Sequence, residues 1–295
     1  MNDLFDVVLG PWEFDFWRRA LLVALLSGLV CGVVGCHVVL RGMAFIGDAV
    51  SHSVFPGIAI AFALGLDLTI GGAVAGIATA LVVAVFARNR RLGEDSVIGV
   101  FFAAAFGLGI VVLSATPGYG GSLESFLFGS ILGISDGDLA GVVVIGALVL
   151  AAAAVLHPRL VAVGLDPETA SASGLPVFRL NTALYVLVTL AIVMSLQAVG
   201  NILVLALLIT PAATARLLTD RLETMMLLAP AIGALGSVVG LYLSFAFDLA
   251  AGGLIVLVLT AVFVVCWLGA PKHGVLARRR SRYGHVNSSS IVDMN

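Results

Sequence analysis

The chain has 295 residues, of which 61% are hydrophobic and only 11% charged, and its formal net charge is -2. A water-soluble domain usually carries about 25% charged residues, and an unfolded chain would leave far too much apolar surface in water, so both classes are excluded. Uncharged runs near the roughly 20 residues that cross a bilayer core predict an all-α, polytopic helical integral membrane protein, because a helix satisfies its own backbone in lipid.

Residues 1–16 mix Asp3, Asp6, Glu13 and Asp15 with Phe5, Trp12, Phe14 and Phe16. A signal peptide would start with positive charge, so an uncleaved interfacial helix with its aromatics at the headgroups is expected. A membrane domain over 17–272 follows, with nine spans predicted at 17–40, 43–66, 68–87, 96–116, 138–156, 177–196, 200–218, 225–247 and 249–269. Two decisions set that count. The apolar stretch 181–218 is split at Gln197, Gly200 and Asn201, and residues 121–135, too short to cross, are taken as a re-entrant or surface segment on the outer face; eight spans is the alternative. The tail, 273–295, is basic and then Ser-containing, with arginines placed to touch anionic lipid.

With the N-terminus outside and the C-terminus in the cytoplasm, thirteen of the 15 basic residues lie inside and only Arg18 and Arg19 outside, a strong positive-inside bias. Lys272 is the only lysine, between Pro271 and His273, so no P-loop exists to bind nucleotide phosphates. The chain is expected not to be an ATPase or other enzyme; neither H-E-x-x-H nor G-x-S-x-G occurs. Cys31, Cys36 and Cys266 fall inside spans and are expected to be packing residues. Gly28 with Gly32, Gly72 with Gly76, and Gly236 with Gly240 have the small-xxx-small spacing that lets helices approach closely within one subunit.

One acid lies inside a span. Asp48 sits in the second, within residues 42–57, where a carboxylate costs about 2.5–3.5 kcal/mol on insertion scales. His52 follows at i+4, on the same helical face. A carboxylate and an imidazole suit first-row divalent ions such as manganese, iron and zinc. Two ligands make an open site from which an ion can leave, and two copies across a two-fold axis would supply four. The alternative at this point is a plain hydrogen bond between the two side chains. Pro56 and Gly57 are expected to break the helix locally and free carbonyls to line a cavity. His37 has no acidic neighbour at helical spacing and is expected to pack or hydrogen-bond.

Three stretches carry a resemblance: Gly47-Asp48-Ala49-Val50-Ser51-His52-Ser53-Val54-Phe55-Pro56-Gly57; Gly164 through Leu175; and Gln197-Ala198-Val199-Gly200 leading into Leu207–Ala215. In order and spacing they resemble the permease subunits of bacterial ABC importers for manganese, zinc and iron, a family related in fold to the vitamin B12 and siderophore permeases (type II importers). The resemblance implies a homodimer in the bacterial inner membrane, two separate cytoplasmic ABC ATPase subunits that supply ATP hydrolysis, and an extracytoplasmic metal-binding protein. It implies no permanent cofactor and no nucleic acid partner. The family's metal residues fall on Asp48 and His52. Its cytoplasmic coupling segment falls on 164–176, with Asp166, Pro167, Glu168, Thr169, Ala170, Ser173, Gly174 and Leu175.

That segment has a local logic of its own: Asp166 can cap a helix, Pro167 suits its first turn, and Gly174 can end it. The stretches Phe55-Pro56-Gly57 and Ile209-Thr210-Pro211-Ala212 resemble the manganese and iron branch more than the zinc branch, so manganese is favoured, then iron or zinc. Two rivals remain. A permease for a siderophore, haem or cobalamin would need no buried Asp–His pair. A secondary, ion-coupled transporter would leave the Asp166–Leu175 segment without a task.

Overall fold

The computed structural model describes residues 10–43, 45–87, 94–115 and 133–270. The described residues form nine long helices and one short one: α1 (Asp15–Leu40), α2 (Phe45–Leu64), α3 (Leu68–Phe86), α4 (Glu94–Ala115), α5 (Asp136–Leu165), α6 (Pro167–Ala172), α7 (Val177–Val199), α8 (Asn201–Leu218), α9 (Leu222–Phe247) and α10 (Ala251–Gly269). Each predicted span coincides with one long helix. Among the described residues seven of these are long and apolar enough to cross a membrane, while α4 and α8 carry shorter apolar stretches, Ser96–Val112 and Ile202–Leu218. The outer-face segment predicted at 121–135 lies outside the described residues up to 132, as do the tail and residues 1–9 of the N-terminal segment. Residues Gly10–Glu13 form a short 3-10 turn, where an interfacial helix was expected.

Small residues set the packing. A Cβ on Gly28 would lie 2.6 Å from the backbone of Gly233, and one on Gly32 would lie 2.6 Å from Pro230, so α1 and α9 are in backbone contact. Gly236 and Gly240 receive Leu259 and Ile255 of α10, and Gly72 and Gly76 receive Val54 of α2. All three small-residue pairs therefore serve helix packing within one subunit, where close fit replaces the hydrophobic effect as the force holding helices together. Cys31 and Cys36 are buried free thiols and Cys266 is a partly exposed one.

The chain reverses at Gly200 inside the bundle. On α1, Arg41 reaches Asn181 at the start of α7 and Cys31 meets Ser195 near its end, yet Leu208 of α8 is back beside Gly35. Gly200 alone joins the two helices, at φ 79°, ψ 164°, a region essentially restricted to glycine. Ser195 is level with Cys31, and Cys31 is 16 residues, about 24 Å of helix, from the start of α1 at Asp15; Gly200, five residues further along α7 toward that start, is about 16 Å from it. The turn thus lies within the apolar layer, and α8 starts there. This explains why 181–218 reads as one apolar stretch with a polar interruption.

Charge organises the two ends. At the end of the bundle that holds the start of α1, Arg19 pairs with Asp136 at 2.8 Å and Arg18 with Asp15. At the other end Arg41 donates to Asn181 Oδ1 (2.6 Å) and to the Leu160 carbonyl (2.9 Å), tying α1 to α7 and α5. α5 continues past the predicted boundary at 156, through Pro158, to Leu165, about two and a half turns more. The polar run His157–Arg159 therefore lies inside the helix and does not end it.

Candidate functional site

Asp48 lies in the first turn of α2, where the positive end of the helix dipole favours a carboxylate. One turn on, His52 Nε2 lies 3.5 Å from Asp48 Oδ1. The two side chains are 20% and 39% exposed for His52 and Asp48 respectively, so the pair opens onto a surface of the bundle instead of closing into a dry contact. The helical face that carries them is otherwise tightly held. Gly47 admits Leu205 and Leu208 of α8, and the buried Ser51 and Ser53 hydroxyls donate back to the carbonyls of Asp48 (3.0 Å) and Val50 (2.8 Å).

Pro56 has no N–H to give the carbonyl four residues earlier, which belongs to His52. Even so, α2 runs unbroken from Phe45 to Leu64 with Pro56 inside it, and the expected local break is not there. Neighbouring helices pack closely around the missing bond: α4 brings Gly109 against Phe55 and Pro56, and α3 brings Gly71 against Gly57. The irregular backbone near the pair is supplied by another element. Val54 and Ile58 cluster with Val193 and Leu196 of α7, and Gly47 meets α8. The Gly200 turn, which lies between those contacts in the chain, therefore flanks the Asp48–His52 stretch, which lies between them on α2.

Sequence reasoning missed one neighbour of the pair. The Phe106 ring of α4 stands edge-on to the His52 imidazole, centroids 5.3 Å apart at 84°, and touches Phe55 as well. A single aromatic in an apolar helix carries no signal that it faces an imidazole. His37, expected to pack or hydrogen-bond, is buried beside His157.

The 164–176 segment is a terminated helix, α6. Asp166 accepts from the amides of Glu168 (3.0 Å) and Thr169 (3.1 Å) and from the Thr169 hydroxyl. The Thr169 hydroxyl above all, with those amides, holds the Asp166 carboxyl below the usual carboxylate range. Pro167 occupies the first position. At the other end Gly174 takes φ 82°, its amide donates to Ser171, and the Leu175 amide donates to Ala170, the paired bonds of a Schellman stop. Ala170 is buried against the bundle, while Glu168, Thr169 and Ser173 face outward. The preceding Leu165 is 82% exposed, an apolar side chain presented beside the helix, and no local pattern singles it out.

The ABC 3 transport family model matches residues 13–270. A manganese transport system membrane protein of Halalkalibacterium halodurans is 42% identical over 274 residues, covering 93% of each chain. A chelated iron transport system membrane protein of Yersinia pestis is 38% identical over 276 residues, covering 94% of each chain. In three dimensions the chain is similar to PsaBC of Streptococcus pneumoniae, solved in complex with Fab, at a TM-score of 0.83 and 37% identity, covering 94% of this chain and 99% of that one. The chain belongs to the ABC 3 transport family and is a multi-pass membrane permease subunit of an ABC transporter.

Proposed function

We propose that this permease carries divalent metal ions into the bacterial cytoplasm, manganese ahead of iron or zinc, with Asp48 and His52 as transient ligands. The observation that carries this is the pair itself: a carboxylate and an imidazole 3.5 Å apart on one helical face, paid for in a setting where ionisable groups are rare unless functional. The relatives named for manganese and for chelated iron transport support the cargo class. A chelate offers no vacant coordination position to such a pair, which favours the ion itself. Two permeases around a two-fold axis would present four ligands, enough to hold an ion and few enough to release it.

Membership in an ABC transporter complex implies ATPase and binding-protein partners. In our assignment two ATPases dock on α6 from the cytoplasm, with the N-terminus of the chain outside and its C-terminus inside. α6 suits this: it is capped at one end and stopped at the other. It also continues α5, a 30-residue helix that reaches from Asp136 to the α6 cap, so a push on α6 is delivered along the length of the bundle. The test is radioactive manganese uptake into liposomes holding the permease, its ATPase and its binding protein. ATP-dependent uptake that competes with iron and zinc is expected. Uptake that needs no ATPase and collapses with an uncoupler would contradict the assignment.

A further inference from the structure

Arg41 marks one level across the bundle, away from Asp48 and His52. Its guanidinium binds the Leu160 carbonyl of α5 and Asn181 of α7, so the nearby Arg159 and Arg179 stand at about the same height on these two helices. Both are exposed, and neither forms an ion pair among the described residues. Between the helices a cavity of about 460 Å³ begins at Arg179 and Thr182 and is otherwise apolar, with Leu148, Ala152 and Leu156 of α5 facing Ala183 and Leu190 of α7. Leu148 is 59% exposed and Phe178 40% exposed, so this is a groove open along the flank of the bundle. The Thr182 hydroxyl already donates to the Phe178 carbonyl (2.9 Å), which leaves Arg179 as the donor in the wall for a ligand.

Length and charge decide what fits. Leu190 lies 11 residues after Arg179, about 16 Å along α7, close to half of a hydrocarbon core about 30 Å thick. The groove therefore has the reach of an acyl chain in one leaflet, with a headgroup arriving at Arg179. On the opposite wall Arg159 follows Leu156 at i+3 and Ala152 at i+7, the same helical face, so the apolar stripe of α5 also ends in a guanidinium. Guanidinium groups bind phosphate through two parallel hydrogen bonds, and basic rims between spanning helices suit anionic headgroups. Two copies of the chain mated groove to groove would instead set these arginines against their own mates, and no acid lies in the groove wall among the described residues to answer them. We propose that the α5–α7 groove binds one anionic glycerophospholipid, with an acyl chain along Leu148–Leu156 and Ala183–Leu190 and its phosphate on Arg179 and Arg159. Bound there, the lipid fills the cleft beside the Arg41 tie and holds α5 against α7.

The test titrates the delipidated, full-length permease in detergent with dioleoyl phosphatidylglycerol or dioleoyl phosphatidylcholine, counting bound lipid by native mass spectrometry and following Tm. One tightly held phosphatidylglycerol per protomer is expected, with a larger rise in Tm than phosphatidylcholine gives. Arg159→Gln combined with Arg179→Gln, at exposed positions that leave the fold intact, should weaken phosphatidylglycerol binding by about twenty-five-fold, about five-fold for each guanidinium removed. Phosphatidylcholine binding should not change. Ala183→Phe, which fills the groove, should weaken the binding of phosphatidylglycerol with both arginines present. Equal binding of the two lipids, or phosphatidylglycerol binding untouched by loss of both arginines, overturns the proposal. So does an equal rise in Tm with inorganic phosphate alone, which would make the arginines a free-anion site. A second copy of the chain as occupant is tested in native membranes with Ala152→Cys in a Cys266→Ser background, which removes the partly exposed thiol. No cross-link between protomers is expected on oxidation, and a cross-link at this position overturns the lipid assignment. Neither Asp48 nor His52 takes part, so the result is independent of the cargo.

Discussion

In the proposed assignment Asp48 and His52 act as a unit, because each alone is insufficient. The carboxylate gains from the α2 dipole and brings the charge, while the imidazole brings a borderline donor that must be unprotonated to bind. Protons therefore compete with metal: uptake at limiting metal should fall once the pH is low enough to protonate the imidazole, and an initial-rate series at fixed ATP checks it. The sign at Asp166 is different. Its carboxyl is held low by bonds present only in the folded segment, so its contribution is complete above the ordinary Asp value of about 3.9 and is lost only as pH falls through the depressed one. Asp166→Ala removes the cap at any pH, and faster amide hydrogen exchange at Glu168 and Thr169 is the expected readout. The Asp–His spacing was legible because a buried acid in lipid is rare and i+4 fixes a shared face. Phe106 and His157 were not, since their significance lies in partners 54 and 120 residues away, and no local pattern encodes such a meeting.

Two turns depend on glycine for a backbone conformation that a side chain disfavours. At Gly174 a Cβ would find nothing within 4 Å, so the obstacle to substitution is the φ of 82° alone. Gly174→Val should cost about 1–2 kcal/mol of local strain and loosen α6 without unfolding the bundle. Its expected signature is ATP hydrolysis that no longer tracks metal uptake; tight coupling in this variant would remove the transmission role. At Gly200 the conformation is one that essentially only glycine adopts, and Gly200→Ala should cost about 1–3 kcal/mol, read as a lower Tm together with reduced uptake, because the turn flanks the Asp48–His52 stretch. The ends of α6 could be read from Asp166, Pro167 and Gly174 because caps are local chemistry. The continuity of α2 through Pro56 could not, because it is decided by Gly109 and Gly71 pressing from other helices.

For the whole molecule, close approach of α1 and α9 is the main constraint. Gly28→Ala puts a methyl 2.6 Å from the Gly233 backbone and should destabilise by about 1–3 kcal/mol, seen as a lower Tm in detergent with the transport ligands untouched. Hydropathy placed all nine long helices because each is a near-continuous apolar run. It could not place the depth of the α7–α8 turn, which depends on which residues of α1 each helix meets, nor see that α5 runs on through His157–Arg159 to Leu165. α5 runs from Asp136 to Leu165, and only Asp166 separates it from α6; in the assignment proposed above, this would make α5 the lever between the ATPases and the metal path. The most direct measurement of the central claim is manganese uptake by the fully reconstituted transporter carrying Asp48→Asn or His52→Gln, with ATPase binding to the permease assayed in parallel. Each substitution should abolish uptake while the ATPase still binds. Uptake at the unmodified rate in both would show that the ion takes another path.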